Sequence, residues 1–453
     1  MKIKIKYSGK WFVVIWLVLL APNLFSQSVL NDYVEEGLQN NLLIKEKSIS
    51  LEKSFLALKN AKTYFLPSAD LGINYNLANG GRIIALPVGD LLNGVYSSLN
   101  TLLDQQQFPQ LDNIEEQFLP NNFYDARVRV SYPILNKDLY YNKSIQKEAV
   151  LLQEYEIKVF AAELTKNIKQ AYYNYCLAYT AIEILENSRS LVAQNVKDNQ
   201  SLQANGKALP AQVLRAESEL ENIQSQLIEA ENKLKNAGYY VNFLINRPLE
   251  THVIFEKILP EVNQHLSLLQ VENSSSRAEI LKLRTATNIG RLSLRSKQNY
   301  ALPTLNAFVD LGLQGFDFEV NDQSRYYLFG LQLSMPLFQG GRNKNAVQGA
   351  RLNLQTLDLQ SELLTQQVDM AVKTAQNTII ASHAAKKSAE ANLNASTAYL
   401  RLIDKGYKEG VNSLIEFIDA RNQYTNAALK VSVANYSLLN AMADLERELT
   451  QVK

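Results

Sequence analysis

The side chains that carry most enzymatic chemistry are scarce in this sequence. It contains one cysteine and three histidines among 453 residues, and none of the histidines lies close to Cys176 in sequence. No glycine-rich phosphate loop and no group of residues with metal-ligand spacing occurs. We therefore predict no catalytic residues, no cofactor and no metal site, and we predict that the protein is not an enzyme. Cys176 lies on the apolar stripe of a long helical segment, which predicts that it packs there.

Charged and polar side chains instead alternate with apolar ones in short segments. Asp125, Arg127 and Arg129 alternate with alanine, valine and tyrosine, and Asp310 and Gln332 occupy similar places in two later segments. A period of 2 is typical of a strand with two different faces. Four such segments of about 10 residues have the length that tilted strands need to cross a bilayer, while ordinary half-buried hairpins would show the same pattern. In membrane strands, these five polar residues would line a water-filled lumen.

The strand segments belong to a tandem duplication with a period of about 200 residues. Pro133 matches Pro336 and Gly206 matches Gly410 in the two copies. Each copy is predicted to hold a helix, two strands, a long helix, a tip and a return helix. The predicted first repeat is 27–250, with strand 66–77, loop 78–122, strand 123–133 and tip 204–210. A linker or equatorial segment, 251–275, follows it. The predicted second repeat is 276–453, with strands 302–315 and 326–336 and tip 406–412.

Most of the remaining sequence is predicted to form long coiled-coil hairpins. From Val347 to Ile403, positions that step by 3 and 4 carry no charged residue, which is the pattern of a helix seam. No proline interrupts residues 342–405, so this helix would extend roughly 95 Å. Gly206 and Gly410 follow the two long helices, as expected where a helix stops in the left-handed conformation and the chain reverses.

Composition and the N-terminal segment narrow the class of protein. Lysines followed by an apolar run predict a cleaved signal peptide, residues 1–26, and Cys176 lies too far from the cut for lipid attachment through an N-terminal cysteine. A formal net charge of +1 gives no excess of positive charge for binding nucleic acid. The mean hydropathy of −0.18 argues against a polytopic helical membrane protein.

Four membrane strands are too few to close a barrel within one chain, since the smallest barrels have about eight. Open strand edges in lipid would leave backbone N–H and C=O groups unpaired, each at a cost of several kcal/mol. The edges must therefore pair with other copies. The predicted fold class is mainly α with a membrane β-barrel part, built from duplicated long coiled-coil helical hairpins and four β-strands per chain. Three copies would give a trimeric 12-stranded β-barrel and an α-helical barrel.

The order of these features resembles the TolC-like outer-membrane efflux and secretion channel family over essentially the whole mature chain. The resemblance is carried by the duplicated element order, by LPS and LPT at the strand entries, by NRPLE at Asn246–Glu250 and by RAEI at Arg277–Ile280. It implies a homotrimer with a barrel in the outer membrane and a helical barrel in the periplasm. It also implies a closed periplasmic tip that docks a periplasmic adaptor (membrane fusion) protein and an inner-membrane transporter.

The resemblance assigns acidic residues to the entrance of the channel. Glu416 and Asp419 follow the second tip glycine at the places where the family has acids that ring the constricted mouth. Three copies of each would concentrate negative potential there and favour cations. The alternative is that both are solvated charges on a helix surface.

The same resemblance implies further residues that close the tip and dock the adaptor. Tyr407 matches a tyrosine that holds the tip closed in the family, and Gly206 and Gly410 mark the two tips. The family's tip arginine is replaced by Asn412, and its aspartate in the first repeat by Gln212. These replacements predict a neutral, hydrogen-bonded lock in place of the charged one.

The first hairpin carries an insertion that the second lacks. Residues 78–122 hold several glycines, prolines and acids, and in the family's topology this is the extracellular loop. It either caps or constricts the outer mouth or is a variable surface loop.

These features together predict a channel-tunnel of the outer membrane that extends into the periplasm. It would serve a tripartite efflux pump or a type I secretion system and conduct substrates from the periplasmic and inner-membrane machinery to the exterior. The predicted partners are the chain itself, the adaptor, the inner-membrane transporter and outer-membrane lipid, with no nucleic acid. The alternative is a periplasmic coiled-coil adaptor or structural protein of an envelope complex, which would share the hairpins but would not need the four alternating strands.

Overall fold

The computed structural model describes residues 28–117, 119, 121–260 and 276–451, and the predicted signal peptide lies outside these residues. Helices dominate the described part of the chain. They are α1 Val29–Asn40, α2 Leu42–Thr63, α3 Val88–Leu103, α4 Lys137–Ala204, α5 Pro210–Ile245, α6 Ala278–Gln298, α7 Arg342–Lys408 and α8 Leu414–Leu449. The strands are β1 Ser68–Asn76, β2 Ile83–Leu86, β3 Ile114–Gln117, β4 Phe123–Leu135, β5 Thr304–Phe316 and β6 Arg325–Ser334. Within the described ranges, no helix combines the length and apolarity that crossing a membrane requires.

The chain divides into two compact units. The helical unit comprises the described residues of Met1–Ser54, Ala149–Asn288 and Gln355–Lys453. The sheet unit comprises those of Phe55–Glu148 and Ile289–Leu354. Both units draw on both predicted repeats, so the duplication does not divide the protein into two tandem bodies.

The sheet unit is built on one four-stranded antiparallel sheet. Its strand order is β1-β4-β5-β6, so the two hairpins of the duplication meet where β4 pairs with β5. The register joins Arg129 to Asp310 across that pair and Asp70 to Arg129 across β1 and β4. Because side chains alternate between faces along every strand, this register assembles one polar and one apolar face.

The insertion between β1 and β4 has more structure than the predicted loop 78–122. It contains the two-stranded hairpin β2–β3 and the helix α3. Glycine and proline around this segment favour a loop in the sequence pattern, but the helical stripe of leucines and valines in α3 is the stronger signal. The predicted loop 78–122 therefore contains regular elements that the sequence analysis did not identify.

The core of the helical unit lies where α1, α4, α5, α7 and α8 pack together. Ile168, Tyr172 and Cys176, which share one stripe of α4, are each 0% exposed. The prediction that Cys176 packs in a core is confirmed, and burial raises the pKa of its thiol to about 12. The described part of the predicted linker lies against the same stripe, since the Tyr172 hydroxyl donates to the Ile254 carbonyl at 3.0 Å. Residues 261–275 of that linker lie outside the described residues.

Candidate lumen face and helical tip

The polar face of the sheet is centred on an ion pair between β4 and β5. The guanidinium of Arg129 donates from Nε to Oδ1 of Asp310 at 2.7 Å and from Nη2 to Oδ2 at 2.6 Å. Asp310 is buried, and the same guanidinium lies 4.7 Å from the ring centroid of Phe308. A two-point contact of this kind fixes the arginine in orientation as well as position.

The other predicted lumen residues lie on the same face. Arg127 donates from Nη1 to Asp125 at 2.7 Å, and the Tyr326 hydroxyl donates to Asp125 at 2.9 Å. Gln332 is paired with Asn306 in the β5–β6 register, which puts it on this face too. The structure thus gathers all five predicted residues on one side of the sheet, where the two arginines and two aspartates neutralise each other in pairs.

The opposite face of the sheet is apolar and open. Eight apolar side chains on this face are 40% to 81% exposed: Leu71, Ile73, Val128, Leu311, Tyr327, Phe329, Leu331 and Leu333. In water such a surface would be unfavourable, because roughly 25 cal/mol is lost per Å² of apolar area left exposed. A lipid environment removes that cost.

Both long helices end at a tip glycine in the left-handed conformation. Gly206 has φ of 70° and Gly410 has φ of 75°, values that a side chain with a Cβ rarely adopts. After Gly206, the Lys207 N–H donates to the Leu202 carbonyl at 2.8 Å, and after Gly410 the Val411 N–H donates to the Gly406 carbonyl at 2.7 Å. These bonds satisfy the last carbonyls of α4 and α7, so each tip is a defined reversal.

Tyr407 makes the neutral contact between helical hairpins near the tip. The side-chain amide of Asn199 in α4 donates to its hydroxyl at 2.9 Å, and its ring stacks on Phe417 at a centroid distance of 5.2 Å. Asn199 is buried, and the sequence pattern did not predict its role. Its place on the buried stripe of α4, one turn beyond Asn195, is the signal that could have identified it.

The side chains of Gln212 and Asn412 each hydrogen-bond at a helix start within the chain, and the neutral lock stays a prediction. The Gln212 side chain accepts from the Leu209 N–H at 3.1 Å, at the start of its own helix. Asn412 hydrogen-bonds to Glu416, also within one helix start. An amide oxygen this close to a helix N-terminus finds unpaired N–H groups nearby, as that of Gln212 does.

Glu416 and Asp419 lie on the exposed surface of the first turns of α8. Glu416 accepts from the Ser413 N–H at 2.6 Å and from the Ser413 hydroxyl at 2.9 Å, and the Ser413 hydroxyl accepts from its N–H. This capping box holds the pKa of the Glu416 carboxyl below its usual value, because the Ser413 N–H stabilises the charged form. Asp419 accepts from Gln423 at 2.7 Å. Both carboxylates therefore face solvent on one side of α8.

A buried ion pair, which the sequence pattern did not predict, joins three helices farther from the tip. Arg421 of α8 is 1% exposed, and its Nη2 donates to Glu219 of α5, itself 7% exposed. Its Nη1 donates to the Ser188 hydroxyl of α4 at 3.3 Å. The signal was present in the sequence: Arg421 follows Leu414 and Phe417 at the 3-4 spacing of the buried stripe of α8.

Metal-ligating side chains do not cluster in the described ranges, where no group of three or more His, Cys, Asp or Glu residues is arranged to hold an ion.

Comparison with known proteins gives consistent matches. Residues 272–450 match the family model described as "Outer membrane efflux protein". Outer membrane protein TolC of Escherichia coli (strain K12) is 19% identical over 429 residues, which cover 91% of this chain and 80% of TolC. Alkaline protease secretion protein AprF of Pseudomonas aeruginosa is 21% identical over 336 residues, 71% of this chain and 68% of AprF. The solved outer-membrane channel OprN has the same fold, with a TM-score of 0.74 and 14% identity over 94% of this chain and 90% of its own. The resemblance inferred from the sequence is thereby confirmed.

Proposed function

We propose that this chain, a TolC-like outer membrane efflux protein by its resemblance, forms a homotrimeric channel for efflux or secretion through the outer membrane. In this assembly the four-stranded sheets of three copies close a 12-stranded barrel, and the helical units form a periplasmic conduit. Substrates pass through it from an inner-membrane transporter to the exterior. The relatives are described as efflux, secretion and channel proteins, in keeping with a chain that is not an enzyme.

The observation that carries the proposal is the sheet itself. Its described strands leave β1 and β6 at the two edges, each paired on one side. One face is apolar and exposed, while the other holds the Arg129–Asp310 and Arg127–Asp125 pairs. A sheet with open edges and one lipid-compatible face is stable in a bilayer only when its edges are paired, and closure with other copies achieves this.

The tip provides the surface for the other partners. Apolar side chains next to the tip glycines are open to solvent: Leu209 is 68% exposed, Val411 81% and Ile415 73%. Exposed apolar residues grouped beside a polar rim are typical of a protein interface. A periplasmic adaptor that docks at Gly206 and Gly410 would cover them and couple the channel to an inner-membrane transporter.

Membrane fractionation followed by unheated gel electrophoresis tests the proposal. We expect a trimer-sized band in the outer-membrane fraction that converts to the monomer on heating, and discrete conductance steps when the purified protein is added to planar bilayers. A soluble periplasmic monomer without conductance would instead favour the adaptor or structural protein, and would overturn the channel.

Cation selectivity tests the role of the tip acids. We expect the double variant Glu416→Gln, Asp419→Asn to lose much of the preference for cations over anions, because six carboxylates leave the entrance of the proposed trimer. Glutamine at position 416 keeps the capping box with Ser413, so the start of α8 is preserved. The measurement is the reversal potential of single channels in a KCl gradient.

The matched control for the tip acids is Glu229→Gln. Glu229 is an exposed carboxylate that pairs with Lys233 on its own helix, far in sequence from either tip. We expect this variant to keep the reversal potential of the unmodified channel. An unchanged reversal potential in the tip variant would reject a selectivity ring and leave the two acids as solvated surface charges.

A further inference from the structure

Helix α3 in the insertion of the first hairpin presents an apolar face that the described chain leaves open. On a helical projection its valines and leucines, Val88, Leu91, Leu92, Val95, Leu99, Leu102 and Leu103, fall on one side. Leu91 is 70% exposed, Val95 54% and Leu102 81%. The helix is therefore amphipathic, with its apolar side turned to the surroundings.

The polar side of α3 is anchored to the rest of the insertion. Asn93 exchanges two hydrogen bonds with the backbone of Leu111, at 2.9 and 2.8 Å. Asn100 does the same with Phe108, at 2.8 and 3.0 Å. A Cβ at Gly89 would meet the Leu111 carbonyl at 2.3 Å, so the helix and this segment approach closely there. These contacts fix which side of α3 points outward.

The spacing of the apolar residues of α3, some exposed and some half-buried, fits packing against another helix. Val88, Leu92, Val95, Leu99 and Leu102 follow each other at intervals of 4, 3, 4 and 3, the a and d positions of two heptads. Helix pairs and trimers pack through such seams, whereas a lipid surface requires no 3.5-residue period.

The charge of the insertion also favours packing against another helix over binding to a lipid surface. Residues 78–122 carry a single basic residue, Arg82, against the acids Asp90, Asp104, Asp112, Glu115 and Glu116. Helices that lie on membranes typically carry lysine and arginine for anionic headgroups, and α3 has neither. An acidic insertion is thus poorly suited to an anionic membrane surface.

We propose that α3 packs through this seam against the α3 helices of the other copies and closes the outer mouth of the channel with an apolar three-helix bundle. The proposal rests on the trimer proposed above. β1 begins after α2, and β4 leads into α4. The insertion joins the other ends of these two strands, so it lies on the external side when α2 and α4 are periplasmic. Short helices associate weakly alone, but tethering to one barrel provides an effective concentration on the order of millimolar.

Cysteine cross-linking in intact outer membranes tests the seam. We expect Val95→Cys and Leu102→Cys each to form disulfide-linked dimers on mild oxidation, at about tenfold the yield of Ser97→Cys and Thr101→Cys on the polar side. The native Cys176 is buried and its thiol has a raised pKa, so it contributes little background. Oxidant converts two thiols to one disulfide and accepts the two hydrogens.

The same samples distinguish a failure of the proposed α3 bundle from a failure of the proposed channel. A heat-sensitive trimer band with equal, low cross-linking at all four positions would overturn the α3 bundle and leave the channel intact. If the thiols introduced by Val95→Cys and Leu102→Cys are protected from a water-soluble maleimide without cross-linking, the face belongs to lipid, and the bundle is again overturned. Absence of the trimer band would overturn both proposals.

Single-channel conductance provides a second measurement. We expect the variant Val95→Asp, Leu102→Asp to shift to a larger conductance level, because buried like charges separate the three helices. The matched variant Ser97→Asp, Thr101→Asp should retain the unmodified level. Equal conductance in both variants would contradict an apolar closure.

Discussion

Replacing Arg421 with methionine is expected to destabilise the packing of α4, α5 and α8 by about 3–5 kcal/mol. The substitution removes one partner of a buried pair and leaves the buried Glu219 carboxylate without its counter-charge. It also removes the Arg421 donor to Ser188, whose hydroxyl also accepts from Thr425 at 3.1 Å. Burial already lowers the pKa of Arg421, which indicates that the charged pair is held in a site with little solvation.

Hydrogen exchange of the full-length protein measures this effect locally. Peptides that contain Ser188, Glu219 and Arg421 should exchange roughly 10² to 4 × 10³ times faster in Arg421→Met than in the unmodified protein, since each 1.4 kcal/mol is tenfold. Peptides of the sheet unit should not change. The local readout is preferred to a single unfolding midpoint because a large assembly does not unfold in one step.

The double variant Arg421→Met, Glu219→Leu is the matched control. Replacing both members with apolar residues of similar volume is often neutral or stabilising, so we expect exchange to return close to the unmodified rate. If the single variant exchanges at the unmodified rate, the ion pair does not hold the three helices together. If the double variant is as fast as the single one, lost packing and not an unpaired charge is the cause.

The strands and long helices could be predicted because their signals are local. Alternation of Asp125, Arg127 and Arg129 with apolar residues marks β4, and an uncharged 3-4 pattern without proline marks α7. The observed strands β1, β4, β5 and β6 overlap the predicted segments. The polar face followed from the same alternation, since the side-chain period of a strand fixes which residues share a side.

The missed features depend on contacts between residues far apart in the chain. The sequence places a tyrosine at position 407, but it does not reveal that Asn199 is its partner across two helices. Gln212 and Asn412 were predicted to contribute to a neutral lock; within the chain they bond to the Leu209 N–H and to Glu416 at helix starts, and the lock stays a prediction. Arg421 and Glu219 become a pair only when α5 and α8 pack side by side.

The two faces of β6 carry neighbouring side chains that the proposed barrel places in different surroundings. Phe329 is exposed on the apolar face, whereas its neighbour Leu328 lies on the polar face opposite Asp310. An arginine on the lipid face near the bilayer centre costs roughly 2–4 kcal/mol, and three copies in a trimer roughly triple that cost. We therefore expect Phe329→Arg to abolish the heat-sensitive trimer band. Leu328→Arg introduces the same charge at the same depth on the other face, within reach of Asp310, and should retain the band.

Comparing the two arginine variants separates the effect of the sheet's orientation from the effect of an added charge. If Leu328→Arg abolishes the trimer while Phe329→Arg preserves it, the polar face meets lipid and the proposed lumen is wrong. If both preserve it at full heat stability, neither face is in a membrane, and the sheet is a half-buried hairpin pair. If only Phe329→Arg loses the trimer band, the face that holds Arg129 and Asp310 must be the hydrated one, because only there can an added charge remain solvated or pair.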